Sequence, residues 1–223
     1  MAISKFNYNS FNVTPVASAA LAFDADADGF STATSTSLTL IKTLTASSSA
    51  SISFVHGSSD VVFDSTYPIY VLKLINCDTS TNENVYIDFT DDTSSHSFDL
   101  NIQTSAFVAE HAENGSSVAR LDYSESYDEA NGTSAYIFNI NKGGMNSGSD
   151  SSASGEIYFF NPSSTTFVKH FILRVNSMSE YPGSTDQHVA GYVNTTAAVT
   201  GFKIYGAGGN MTGTFKLYGI KGS

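Results

Sequence analysis

Disulfide chemistry is closed to this chain, because Cys77 is its single cysteine and no intrachain bridge can brace the fold. In YVLKLINCDT the thiol reads as a small apolar filler at a strand end. Tryptophan is absent, and proline occurs only four times in 223 residues. Positive charge is scarce: ten Lys and Arg face 21 Asp and Glu, for a net charge of −11. Ten scattered cations make no stripe for a phosphate backbone, which argues against nucleic acid and anionic lipid as partners. No apolar run reaches the about 18 residues a membrane-crossing helix needs. The start, MAISKFNYNS, has no basic segment followed by an apolar one, so synthesis in the cytosol without a secretory signal is expected. H-E-x-x-H, G-x-S-x-G and the P-loop are also missing, and nothing else suggests an enzyme.

What is present is period-2 alternation. VYIDFT sets Val85, Ile87 and Phe89 against Tyr86 and Asp88, and SFDLNIQ sets Phe98, Leu100 and Ile102 against Asp99 and Asn101. Successive side chains of a strand point to opposite faces, so these segments read as half-buried strands. SLTLIKTL, SISFVH, IYVLKLIN, AYIFNI, EIYFF, FVKHFILRV, GFKIYG and TFKLYGI are short and rich in β-branched or aromatic residues. Roughly ten or eleven strands separated by polar turns predict an all-β, two-sheet antiparallel sandwich. GGMNSGSDSSASG (143–155) and YPGSTDQ read as loops, and GAGGNMTG (206–213) as a hairpin turn. The segment 104–134 has room for one short helix, broken by Gly115 and Gly132. Residues 1–35 form a distinct N-terminal arm, in which VASAALAF is either a helical turn or an extended segment. Residues 36–223 form a single sandwich domain.

The most distinctive stretches are FDSTYPIYVLKLIN (63–76), FNPSSTTFVKHFILRV (160–175) and VAGYVNTTAAVTGFKIYGAGGNMTGTFKLYGI (189–220). They resemble a group of virion structural proteins of marine and cyanobacterial bacteriophages, variously labelled capsid decoration, head or tail-fibre proteins. The resemblance covers about residues 50–220. It implies a jelly-roll β-sandwich on the particle surface and transfers no catalytic residue. The expected role is capsid decoration, as a cement or knob that partners the major capsid protein in a virion assembled in the host cytoplasm. The alternative is a tail-fibre or receptor-binding module for a host-surface glycan. Open sheet edges favour closed self-association, with a homotrimer expected. The arm is the expected particle-facing element, and strand 167–175, apolar on both faces, the expected subunit contact.

Two constellations carry candidate chemistry. FDADADGF places Asp24, Asp26 and Asp28 at alternate positions before Gly29. An EF-hand loop would need a glutamate at its twelfth position, where Ser35 stands. A calcium site of another kind and a solvated acidic turn both remain open for it. Tyr123, Tyr127 and Tyr181 lie in polar surroundings, suited either to stacking on a sugar or a protein partner, or to packing on the sheet rim. The acidic tract YSESYDEA, with Glu125, Asp128 and Glu129, reads as a charged loop. His56, His96, His111, His170 and His188 show no metal-ligand spacing, and His170 reads as an ordinary strand histidine.

Overall fold

A computed structural model describes residues 20–23, 30–33, 38–115, 118–123, 125–138, 148–178 and 183–221. The chain divides into two units, Met1–Ser37 and Leu38–Ser223. In the first unit β1 (Ala20–Phe23) pairs antiparallel with β2 (Phe30–Ala33), so this part of VASAALAF is extended and not helical. Asp24, Asp26 and Asp28 lie outside the described residues.

The second unit is a sandwich of two antiparallel sheets. Its strands are β3 (Leu38–Ser49), β4 (Ser51–Val55), β5 (Ile69–Thr79), β6 (Val85–Thr90), β7 (Ile102–Ala112), β8 (Ala119–Tyr123) and β9 (Ala130–Gly132). They continue as β10 (Ala135–Phe138), β11 (Ala153–Phe160), β12 (Lys169–Met178), β13 (Gly183–Val193), β14 (Gly201–Gly206) and β15 (Met211–Ile220). The smaller sheet runs β10-β6-β14-β4, and the larger runs β3-β15-β5-β11-β12-β13-β7-β8, with β9 paired to β7. The pairing is nested. The first strand of the sandwich bonds to the last (β3 to β15), then β4 to β14, β5 to β11 and β6 to β10. Two insertions, β7–β9 and β12–β13, extend the larger sheet beyond β11.

The alternation visible in the sequence builds the core. Ile87 and Phe89 of β6 and Phe202 and Ile204 of β14 are buried, as are Leu72 of β5, Ile157 of β11 and Leu173 of β12. Rings bridge the sheets: Phe89 lies 5.4 Å from Phe171, and Phe159 lies 4.8 Å from Phe202. Offset and edge contacts of this kind add to the area they bury. An internal void of about 10 Å³ among these rings has room for at most one water. Cys77 belongs to the core at 3% exposure, and burial pushes its thiol up to about 12.

Several expected loops and turns fold otherwise. The 104–134 segment holds no α-helix among its described residues. Ala and Glu there favour helix, but register from Gly183↔Ala112 to Val193↔Ile102 fixes β7 as a central strand, and long-range pairing overrides a weak local preference. A single 3-10 turn, Glu125–Tyr127, follows β8. GSTDQ is the start of β13, because an inward polar row, Ser177–Thr185–Glu110–Arg120, runs across β12, β13, β7 and β8. Glu110 is buried in that row and its carboxylate accepts from Arg120 Nη2 at 2.7 Å. GAGGNMTG is not a hairpin turn, since β14 and β15 belong to different sheets and the glycines carry the chain across the sandwich. The 143–155 loop ends early, with Ala153 opening β11. In SFDLNIQ the strand begins only at Ile102.

Candidate interaction face

The outer face of the larger sheet carries two rows of side chains defined by strand register. Register places Leu40, Tyr218, Val71, Tyr158, Ile172 and Ala190 in one row across β3, β15, β5, β11, β12 and β13. Leu40 and Ile172 are each 50% exposed, whereas Leu173, next to Ile172 in the chain, is fully buried. The expected strand 167–175, apolar on both faces, is instead β12 (Lys169–Met178) with one apolar face: Phe171, Leu173 and Val175 point into the core, and of the outward positions His170, Ile172, Arg174 and Asn176 only Ile172 is apolar. Phe167, before β12, is 70% exposed. One inward position is unexpected: Lys169 is 3% exposed, and its ammonium donates to the carbonyls of Phe167 (2.7 Å) and Thr195 (3.2 Å). Desolvation lowers its pKa, partly opposed by Asp91.

The next row is charged, running Lys216, Lys73, Glu156, Arg174 and His188, and ends at Phe107 and Tyr123. Lys73 pairs with Glu156. The Arg174 guanidinium donates to both oxygens of Asp186, at 2.7 Å from Nη2 and 3.0 Å from Nε, and this holds the Asp186 carboxyl below its ordinary value. The His188 ring stacks on Phe107 at 4.6 Å. On the side of the charged row away from Ile172 lies a groove of about 680 Å³ bounded by Lys73, Ile75, Ser154, Glu156, Arg174 and Asn176. A β-bulge opens it. Register between β11 and β5 slips between Ala153 and Gly155, and Asn76, at φ 49°, donates its N–H to Ser154 Oγ. Bulges of this kind redirect side chains at binding sites. A second hollow, about 480 Å³, lies over Ala190 and Ser105, whose small side chains leave space beside Ile172, His170 and Tyr192.

The expected tyrosines separate. Tyr123 is 63% exposed at the end of the charged row, where its hydroxyl donates to Asp128. Tyr127 is fully buried, so its ring cannot be offered to a sugar or partner. The 3-10 turn directs it inward, where it packs 5.6 Å from Tyr136. Tyr181 lies outside the described residues. The acidic tract is a clasp rather than a free loop: Asp128 Oδ1 accepts from the Ala106 N–H at 2.9 Å, and the Glu129 N–H donates to Thr104 Oγ1 at 2.8 Å. His56 accepts from the Phe63 N–H at 3.0 Å, and His170 meets Tyr192 edge-on at 5.8 Å. Among the described residues no three His, Cys, Asp or Glu side chains converge as a metal site. No helix among them is long and apolar enough to cross a membrane.

No protein-family model, curated protein or solved structure matches this chain.

A second aromatic group is carried by the smaller sheet. Tyr86 lies 4.8 Å from Tyr136 and 5.5 Å from Tyr205. The Lys203 ammonium sits 4.5 Å over the Tyr205 ring and 3.0 Å from Asp88 Oδ2. These tyrosines escape a search for loop aromatics because they alternate with core residues inside strands. The signal was the outward position of Tyr86 in VYIDFT, which gains meaning only once β6, β10 and β14 are neighbours.

Proposed function

We propose that this chain is a non-enzymatic structural protein of a bacteriophage virion surface, a capsid decoration (cement or knob) protein built on a jelly-roll. Three observations support the reading. The nested pairing of β3–β15, β4–β14, β5–β11 and β6–β10 supports a jelly-roll, an architecture recurrent in viral capsids and in lectins. The stretches that resemble phage virion proteins fall on β5, β12 and β13–β15, strands of the core that, β14 of the smaller sheet apart, also contribute to the outer face. The observation that carries the proposal is the outer face itself, where Leu40, Ile172 and Phe107 stay 46–50% exposed beside a ladder of both charge signs. A patch of that composition is suited to a protein partner: apolar area supplies affinity, and paired charges set register.

In this proposal the outer face docks on coat subunits or on neighbouring copies in a homotrimer, and residues 1–35 face the particle. Co-sedimentation of the purified chain with undecorated capsids tests it. Saturable binding that Ile172→Asp abolishes is expected; no binding to capsids alongside tight binding to host cells overturns it. A receptor-binding module for a host-surface glycan is the second reading. The groove favours it, because Arg174, Asp186 and Asn176 offer sugar-hydroxyl partners, with Tyr158 one row away on the same face. Cell binding that Arg174→Ala abolishes would install that reading in place of decoration.

A further inference from the structure

Three corners of the sandwich meet at one end. The chain changes sheet between β3 and β4, between β5 and β6, and between β14 and β15. Asn210 ties them together: its N–H donates to Ser80 Oγ at 3.0 Å, its carbonyl accepts from the Ser80 N–H at 2.9 Å, and its amide donates to Ser48 Oγ at 3.2 Å. Into this junction projects Glu83, which is 6% exposed. One carboxylate oxygen, Oε2, accepts from the N–H groups of Gly208 and Gly209. The other, Oε1, is buried and meets no hydrogen-bond donor among the described residues. Nor does Glu83 form an ion pair with a described cation, in contrast to Asp88, whose own unpartnered oxygen is balanced by Lys203. A buried anion without counter-charge is costly, so a compensating positive group is expected there.

The surroundings of Oε1 have the chemistry of a hard-cation site. A β-carbon on Gly209 would stand 2.6 Å from Glu83 Oε1, 2.6 Å from Thr81 Oγ1 and 2.7 Å from Ser80 Oγ. A β-carbon on Gly206 would stand 2.5 Å from the same Oε1 and 3.1 Å from the Gly209 carbonyl oxygen. Four oxygens therefore gather where the glycines leave room, and no sulfur or imidazole is among them. Such a set selects hard cations over zinc or copper. Its irregular geometry and neutral hydroxyls fit calcium, which accepts six to eight oxygens at about 2.3–2.6 Å, better than magnesium, which demands a tight octahedron. Ser80 and Thr81 are exposed, so water has access to complete the shell.

We propose that this corner holds one calcium ion, ligated by Glu83 Oε1, Thr81 Oγ1, Ser80 Oγ and the Gly209 carbonyl, which pins the β5–β6 and β14–β15 crossovers together. The proposed ligands include none of Asp24, Asp26 and Asp28, and the proposal is independent of the capsid reading. The test is thermal unfolding of the full chain, treated with chelator and kept in a tetramethylammonium buffer, titrated with CaCl2, MgCl2, NaCl or KCl. Calcium is expected to raise Tm progressively with the logarithm of its concentration once above Kd, by roughly 3–6 °C at about ten times Kd. Glu83→Gln should lose that rise yet be no less stable without calcium, because its amide can donate to the nearby hydroxyls. Thr81→Val, an isosteric change at an exposed position, should raise the calcium concentration needed for a given Tm rise at least about tenfold, and it carries the test if Glu83→Gln fails to fold. The combined Asp24→Asn, Asp26→Asn and Asp28→Asn variant should keep the response. The proposal is overturned by no calcium response, by a response to sodium or potassium alone, by one that survives in Glu83→Gln or is undiminished in Thr81→Val, or by one that disappears in the aspartate variant.

Discussion

Leu173→Ala and Ile172→Thr, at neighbouring positions of β12, should behave as though they belonged to different proteins. Leu173 is fully buried, with its side chain in the core cluster. Truncation there removes transfer free energy and leaves a cavity, a loss of about 2–5 kcal/mol. For a domain of this length each kcal/mol lowers Tm by roughly 2–4 °C, so a fall of about 4–20 °C is expected. Ile172 is 50% exposed on the outer face, and threonine keeps its β-branch, so the cost in dilute solution should stay within about 0.5 kcal/mol. Calorimetry at low protein concentration reads the first quantity, and urea titration checks it independently. The same Ile172→Thr chain should bind undecorated capsids at least about fivefold more weakly, the effect of losing one central apolar contact. Equal destabilisation by the two variants would refute the reasoning, because it would mean that both faces of β12 are interior in the isolated chain.

Alkaline stability offers a second test. Burial is the leading cause that pushes Tyr70 and Tyr136 up to about 12 and Tyr127 higher still. A phenol whose folded pKa is raised contributes stability that is complete below the unfolded value near 10 and is lost as pH climbs through the folded value. Unfolding should therefore set in above about pH 10, with these tyrosines ionising together in the ultraviolet difference spectrum; their independent titration near pH 10 in folded protein would contradict the burial. Cys77 should resist a disulfide reagent at pH 8 until the chain is unfolded, and rapid labelling of the native protein would show that its strand opens locally. Asp186→Asn should cost under about 1 kcal/mol, since Arg174 is 65% exposed and solvent screens the pair. Because the Asp186 carboxyl is held below its ordinary value, that contribution is present above the unfolded pKa and is lost as pH falls through the folded one. Acid titration of wild type and variant should converge at low pH, and a constant offset would assign the loss to packing.

What the sequence alone determined was the class of fold. Alternation in VYIDFT, FVKHFILRV and TFKLYGI is a local property, because a strand exposes successive side chains to opposite faces whatever its partners are. The same locality made the core role of Cys77 legible. Partnership is not local. That β3 closes on β15, that GSTDQ enters β13, and that Tyr127 turns inward depend on residues far along the chain, and no short window of sequence carries them. The outer row of Ile172, Tyr158 and Tyr218 exists only through register across four strands. Likewise the oxygens around Glu83 come from two crossovers separated by more than 120 residues, and tertiary folding alone could bring the glycines of the β14–β15 turn against a buried carboxylate.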